Sequence, residues 1–134
     1  MYLLDTNIIS YLQKGNPQII QKIKSLDSSQ LSISSITVSE LFFGAINNPS
    51  QNRGKVQLNY YTELIDKTEV YSFDTKSSII FATLKTGLWT TGSIIEDTDL
   101  QIASIAIAND LTLVTNNTKH FKNIPNLKTE DWSK

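Results

Sequence analysis

The sequence predicts an α/β fold, a central parallel sheet with helices on both faces. Three observations lead there. Short apolar runs alternate along the chain with segments of helical periodicity, the order of a sheet whose strands are joined by helical crossovers. One of those segments, "DLQIASIAIA" at 99–108, is apolar nearly all round and needs cover on every side. The 134 residues, 40 % of them hydrophobic, are enough for one domain spanning 1–134 with a core of its own.

Each element follows from local pattern. Residues 2–4 form a short apolar strand, and Ile8, Ile9, Tyr11 and Leu12 mark a short helix behind it. Asn16-Pro17 supplies an N-cap and a proline for the first turn of the next helix, which carries Ile19, Ile20, Ile23 and Leu26. "LSIS" at 31–34 reads as an alternating strand. Val38, Leu41, Phe42, Ala45 and Ile46 form one helical stripe. "NNPSQNRG" at 47–54 has the composition of a loop, and Val56, Tyr60, Tyr61, Leu64 and Ile65 mark a helix after it. "EVYSF" at 69–73 is a third strand. The helix of Ile80, Phe81, Leu84 and Leu88 then ends at Gly87 or at "TTG", 90–92. The buried helix at 99–108 leads into a last strand, "LTLVT" at 111–115. Strand order is not readable from this pattern.

Composition narrows the chemistry. With no cysteine and one histidine, thiolate and imidazole-rich metal sites are excluded. Any metal must be held by oxygen, which points to Mg²⁺ or Mn²⁺. Twelve basic residues nearly cancel thirteen acidic ones, so nucleic acid would be bound through a local patch or a metal rather than by bulk charge. No run approaches the roughly 20 apolar residues of a membrane span, and the N-terminus lacks signal-peptide features. The expectation is a cytoplasmic protein with no membrane partner.

In open parallel sheets, sites form beyond the carboxyl ends of the strands. Asp5 lies just after the first strand, and Glu40 about a turn and a half into the helix after the second. Thr115, Asn116 and Asn117 leave the last strand, and Asp97 and Asp99 open the helix that leads into it. A helix feeding a parallel strand starts at that same edge, so these acids are expected at one rim. Clustered carboxylates there suit metal-assisted phosphodiester hydrolysis.

Each acid also has a purely structural reading. Asp5-Thr6-Asn7 is capping chemistry, and the two readings of Asp5 are evenly matched. Thr37-Val38-Ser39-Glu40 fits a capping box, and Glu40 lies opposite the apolar stripe, as a solvated glutamate would. Acids at a helix start favour the macrodipole, the commoner use of Asp97 and Asp99. At about 100° per residue, Asp99 aligns with Ile102, Ala103 and Ala106 while Asp97 points nearly opposite, so Asp99 is the better ligand. "TNNT" is ordinary turn chemistry as well as a source of oxygen ligands. His120 is weighed as a general base and set aside as a loop histidine. Trp89, Phe121 and Trp132 are read as packing residues, Tyr60 and Tyr61 as core or interface.

Taken together, "LLDTNIISYL" at 3–12, "ISSITVSELFFGA" at 33–45, "DLQIASIAIANDLTLVTNNTKHF" at 99–121 and "IPNLKTEDW" at 124–132 resemble the PIN-domain family. Within it, the closer match is to VapC-type toxins of toxin–antitoxin modules. The resemblance implies a PIN-like parallel α/β domain and Mg²⁺-dependent cleavage of RNA, with Mn²⁺ as substitute. By position it implies Asp5, Glu40 and Asp99 as catalytic metal ligands, with Thr6 and Asn7 orienting Asp5. It also implies a structured RNA substrate, a small antitoxin partner and a homodimer. One departure stands out. Many PIN domains carry a further aspartate after the last core strand, where this chain has Thr115-Asn116-Asn117; an asparagine there offers oxygen but no charge, and Asp97 is a weak candidate to supply it. Two rivals follow. A signalling receiver would need an acid pair after the first strand, where "LLDTN" has one acid. A degenerate domain that binds RNA or a protein without cutting fits the uncharged Asn117.

Overall fold

The computed structural model describes residues 1–134. The apolar run at the N-terminus becomes β1 (Tyr2–Leu4), and Asp5 turns the chain into α1 (Thr6–Gln13). Asn16 caps α2 (Pro17–Lys24), its side chain accepting from the backbone N–H of Gln18 and Ile19. A 3-10 turn at Ser28–Gln30 leads into β2 (Leu31–Ser34), followed by α3 (Ser35–Ile46), α4 (Gln51–Lys67) and β3 (Glu69–Tyr71). Then come α5 (Thr75–Thr90), α6 (Asp97–Ala108), β4 (Thr112–Val114), the short α7 (Thr118–Phe121) and β5 (Lys128–Glu130). None of these helices is long and apolar enough to cross a membrane.

The five strands are all parallel, in the order β3-β2-β1-β4-β5. Alternate residues of the central strands feed two cores, one on each face. Leu3 and Leu113 pack with Leu100, Ile102, Ile105 and Phe121 under α5, α6 and α7. Leu4 and Val114 pack with Ile8, Ile9, Ile19, Leu41 and Tyr61 under α1 to α4. Each fully buried aliphatic side chain contributes about 1.5–3 kcal/mol relative to exposure, which is why β1 and β4 are apolar on both faces.

The order reverses at β1. The chain steps outward through β2 and β3, then crosses back on the opposite face through α5 and α6 to lay β4 on the other side of β1. This is the switch point at which open α/β sheets form sites. It sets the carboxyl ends of β1 and β4 side by side, with Asp5 N donating to the Val114 carbonyl at 2.9 Å.

Several local expectations are corrected. The loop ends early: Ser50 caps α4 through the Arg53 N–H at 3.3 Å, so residues 51–54 are helical. "LSIS" is buried at all four positions rather than half solvated. Its serines are satisfied internally, Ser32 donating to the Tyr2 carbonyl at 2.6 Å and Ser34 capping α3 through Thr37 N at 3.0 Å. Thr37 therefore lies inside α3 and heads no capping box. Helix α5 passes through Gly87 and ends at "TTG", where Gly92 takes a φ of 74°. Trp89 lies outside both cores and is 76 % exposed, with the Lys85 ammonium over its ring at 5.7 Å. Strand β5, "KTE", has no counterpart in the hydrophobic pattern.

Gly54 explains how α4 can start so close to α3. A Cβ at that position would stand 2.6 Å from the Ala45 carbonyl oxygen. Gly54→Ala is expected to destabilise the fold by about 1–2 kcal/mol, overpacking outweighing the gain in helix propensity. A urea denaturation series measures it; an unchanged midpoint would mean the two helices separate without cost.

Candidate active site

The switch point is built around Asp5. Its carboxyl group caps α1, and the residue is only 6 % exposed. One oxygen accepts from the Thr6 backbone N–H at 2.8 Å and the other from the Thr115 hydroxyl at 2.9 Å. Burial pushes its pKa up to about 6 against the pull of these two donors, and the nearby Asp99 and Glu40 carboxylates add to the rise. Thr115 is fully buried, and its own oxygen accepts from Asn117 N at 3.1 Å.

Glu40 does not behave as a solvated surface glutamate. It is half-buried and accepts from the Thr6 hydroxyl at 2.6 Å. The Thr6 and Thr37 oxygens are 3.1 Å apart. Because the single Thr6 proton is directed to Glu40, Thr37 donates to Thr6, and a chain of two hydroxyls holds the carboxylate. Thr6 thus orients Asp5 with its backbone and Glu40 with its side chain. Asn7 is exposed and makes no side-chain hydrogen bond to Asp5, so the orienting role expected of it falls to Thr115.

Asp99 and Asp97 part ways as helical geometry requires. Asp99 sits against α7, with its Oδ2 3.0 Å from His120 Nε2. This is a close polar contact rather than an aligned hydrogen bond, since Nε2 has no partner in hydrogen-bonding geometry. Burial raises the Asp99 carboxyl above its usual range; His120 opposes the rise and Glu96 adds to it. Asp97 is 60 % exposed and pairs with Lys85 of α5 at 3.0 Å.

Asn117 is exposed, with no side-chain cap on α7. Asn116 donates to the Tyr11 hydroxyl at 3.1 Å, tying the end of β4 to α1. His120, which the sequence reading sets aside as a loop histidine, stands against Asp99, and Thr37 and Tyr11, read there as a cap and an apolar helix position, bond Thr6 and Asn116. For His120 a signal existed, because it lies only five positions beyond Thr115 on the segment leaving β4.

The donor set fits a hard divalent cation, though loosely. The available ligands are carboxylate oxygens, and each Asp5 oxygen accepts only one hydrogen bond. Yet no three aspartate, glutamate or histidine side chains are drawn close enough to grip one ion directly. Mg²⁺ keeps much of its water and is commonly bound through one or two carboxylates. Asp5, Glu40 and Asp99 suit such a hydrated ion better than a bare one.

Residues 2–127 match the PIN-domain family. The chain belongs to that family. It is 37 % identical over 136 residues to ribonuclease VapC2 of Rickettsia felis, covering 100 % of this chain and 99 % of the relative. It is 32 % identical to the tRNA(fMet)-specific endonuclease VapC of Salmonella typhimurium, covering 98 % and 97 %. Among solved structures, the DNA-bound VapBC complex of Salmonella typhimurium contains a chain that superposes with a TM-score of 0.89 at 32 % identity, covering 98 % of this chain and 97 % of that one.

Proposed function

We propose that this chain is a metal-dependent endoribonuclease acting as the toxin of a toxin–antitoxin pair. The observation that carries the proposal is the buried Asp5 at the switch point, its pKa raised further by Glu40 and Asp99 from two other elements. Carboxylates near enough to raise one another's pKa work against folding without a cation and are reconciled by binding one. The full-length ribonuclease relatives support RNA as substrate, and the VapBC complexes support a small antitoxin partner.

Asp5, Glu40 and Asp99 would hold Mg²⁺, with Mn²⁺ as substitute. When bound, such an ion polarises a phosphodiester and lowers the pKa of a water molecule. The chain's own contribution is to position the oxygens. Thr115 and the Thr6 N–H fix Asp5, the Thr37–Thr6 pair fixes Glu40, and His120 restrains Asp99. Asp5 must be ionised to hold a cation, so metal binding competes with protonation below about pH 6. Lys119 and Lys122 are within a few residues of His120 and are available to the RNA backbone. The substrate is a structured RNA cleaved in the cytoplasm, and the active form is a homodimer of one nuclease domain.

Purified protein incubated with a mixed pool of structured RNAs is expected to give discrete ends with Mg²⁺ or Mn²⁺ and none in chelator. A second reading rests on the uncharged Asn117 and the loosely spaced acids: a PIN-like domain that binds RNA or a protein without cutting. RNA retained uncut under saturating Mn²⁺ would favour it.

A further inference from the structure

The carboxylate rim opens at Thr6 and Glu40 into a groove whose far end the chemistry above does not use. A cavity of about 250 Å³ runs from Thr6 and Glu40 past Ser10 to Lys14, Asn48 and Gln57. Those last three residues also line a second cavity of about 540 Å³, with Gln13, Asn52 and Arg53. The shared residues make the two continuous: α1, α3 and α4 wall the inner part, with Leu41, Ala45 and Tyr61 at its base, and the end of α1, Asn48 and the first turns of α4 wall the outer part. Thr6, Ser10 and Lys14 are spaced four apart, the polar stripe of α1 opposite its buried Ile8 and Ile9. From Thr6 to Lys14 the stripe covers about 12 Å.

The outer cavity is built for a polyanion with polar edges. Lys14 and Arg53 are exposed, and neither has a carboxylate partner. The other wall residues are amides, and Val56 is the single apolar one. The Gln57 oxygen accepts from Asn48 Nδ2 at 3.0 Å, so its own amide N–H groups are left to face the channel as donors. No aromatic ring lines the outer cavity, so bases would be met by hydrogen bonds rather than by stacking. An amphipathic peptide helix would need a row of apolar anchors that the outer cavity lacks.

We propose that this groove is the subsite for the single-stranded RNA next to the scissile phosphate, with Lys14 and Arg53 on backbone phosphates and Gln57 and Asn52 on base edges. The inference deepens the nuclease reading and rests on it for the position of the scissile bond. It also explains how a chain of net charge −1 can bind RNA through a local patch.

The test is the salt dependence of binding, read by fluorescence anisotropy of a labelled mixed-sequence single-stranded RNA in chelator. Each phosphate contact to a single strand contributes about 0.7 to the slope of log affinity against log salt. The double variant Lys14→Gln/Arg53→Gln is therefore expected to lose about 1.4 units of slope and to bind more weakly at low salt. Lys128→Gln is expected to change nothing, because Lys128 is paired with Asp110 at 3.0 Å and lies outside both cavities. Circular dichroism checks that the variants fold, and Lys14→Glu/Arg53→Glu should deepen the loss. An unchanged slope overturns the proposal, whether or not the same variants weaken binding of an antitoxin peptide. A lowered slope in a chain that cuts no RNA would keep the groove and remove the nuclease; an unchanged slope in a chain that does cut would remove the groove alone.

Discussion

Asp5→Asn is expected to abolish RNA cleavage while raising the melting temperature near neutral pH. Loss of an outer-shell partner of a metal site commonly costs 10–100-fold, so loss of a ligand should cost at least about 100-fold in activity. The stability gain follows from linkage. Burial raises the Asp5 pKa from 3.8 to about 6, so the folded chain holds this proton more tightly than the unfolded chain. Between about pH 4 and pH 6 the unfolded state binds fewer protons, and stability falls as pH rises through that window. The cost at neutral pH is at most about 3 kcal/mol without a cation. Asparagine stays neutral and avoids it. Its N–H group would meet a donor at one of the two positions now facing Thr6 N and Thr115, which returns part of the gain. A net gain of about 1–2 kcal/mol, or roughly 3–8 °C, remains. Mn²⁺ should raise the melting temperature of the parent chain and leave that of D5N in place. Below about pH 4, where Asp5 is neutral folded and unfolded, the gain should be gone, and D5N should be the less stable of the two by the cost of its donor conflict. Retained full cleavage by D5N would remove Asp5 from the site; a lower melting temperature at neutral pH would contradict the account of its burial.

The second large effect is expected from Thr115→Val, a near-isosteric change that removes only a hydroxyl. Thr115 is fully buried, donates to Asp5 and accepts from Asn117 N. Losing both hydrogen bonds should cost about 1–3 kcal/mol, more near neutral pH than near pH 5, because an ionised Asp5 loses a donor it needs. The Thr115 hydrogen bond lowers the Asp5 pKa, so the acid limb of the pH–rate profile should move to higher pH in T115V. Metal affinity should fall by about 10–100-fold, with partial rescue by excess Mn²⁺. A variant that is less stable but has an unshifted pH–rate profile would make Thr115 a packing residue only.

Legibility varied with how local the controlling physics is. Strands β1, β2 and β4 are short apolar runs bounded by polar turns, and they appear where the pattern puts them. Helix α6 is buried along one continuous stretch, Ile102 to Ala106, as its all-round apolarity requires. Strand β5 is "KTE", with no apolar alternation. It exists because β4 offers it a free edge, so its cause lies in another part of the chain. Helix α4 begins inside an Asn- and Gly-rich segment because Gly54 is needed for close approach to Ala45, not for a turn. The same limit applies to the site. Helical angles separated Asp99 from Asp97, since that depends on one helix alone. They read Glu40 as solvated because the Thr6 hydroxyl that receives it comes from a different element, 34 residues away.

From its sequence alone, this chain specifies alternating strands and helices and an edge at which Asp5, Glu40 and Asp99 all emerge. Periodicity encodes the first, and the direction of parallel crossovers encodes the second. Only the tertiary structure decides that β4 lies beside β1, that Thr115 therefore meets Asp5, and that burial there pushes the carboxyl's pKa up to about 6. Strand order and dielectric environment depend on packing summed over both faces of the sheet. No short window of residues contains that sum.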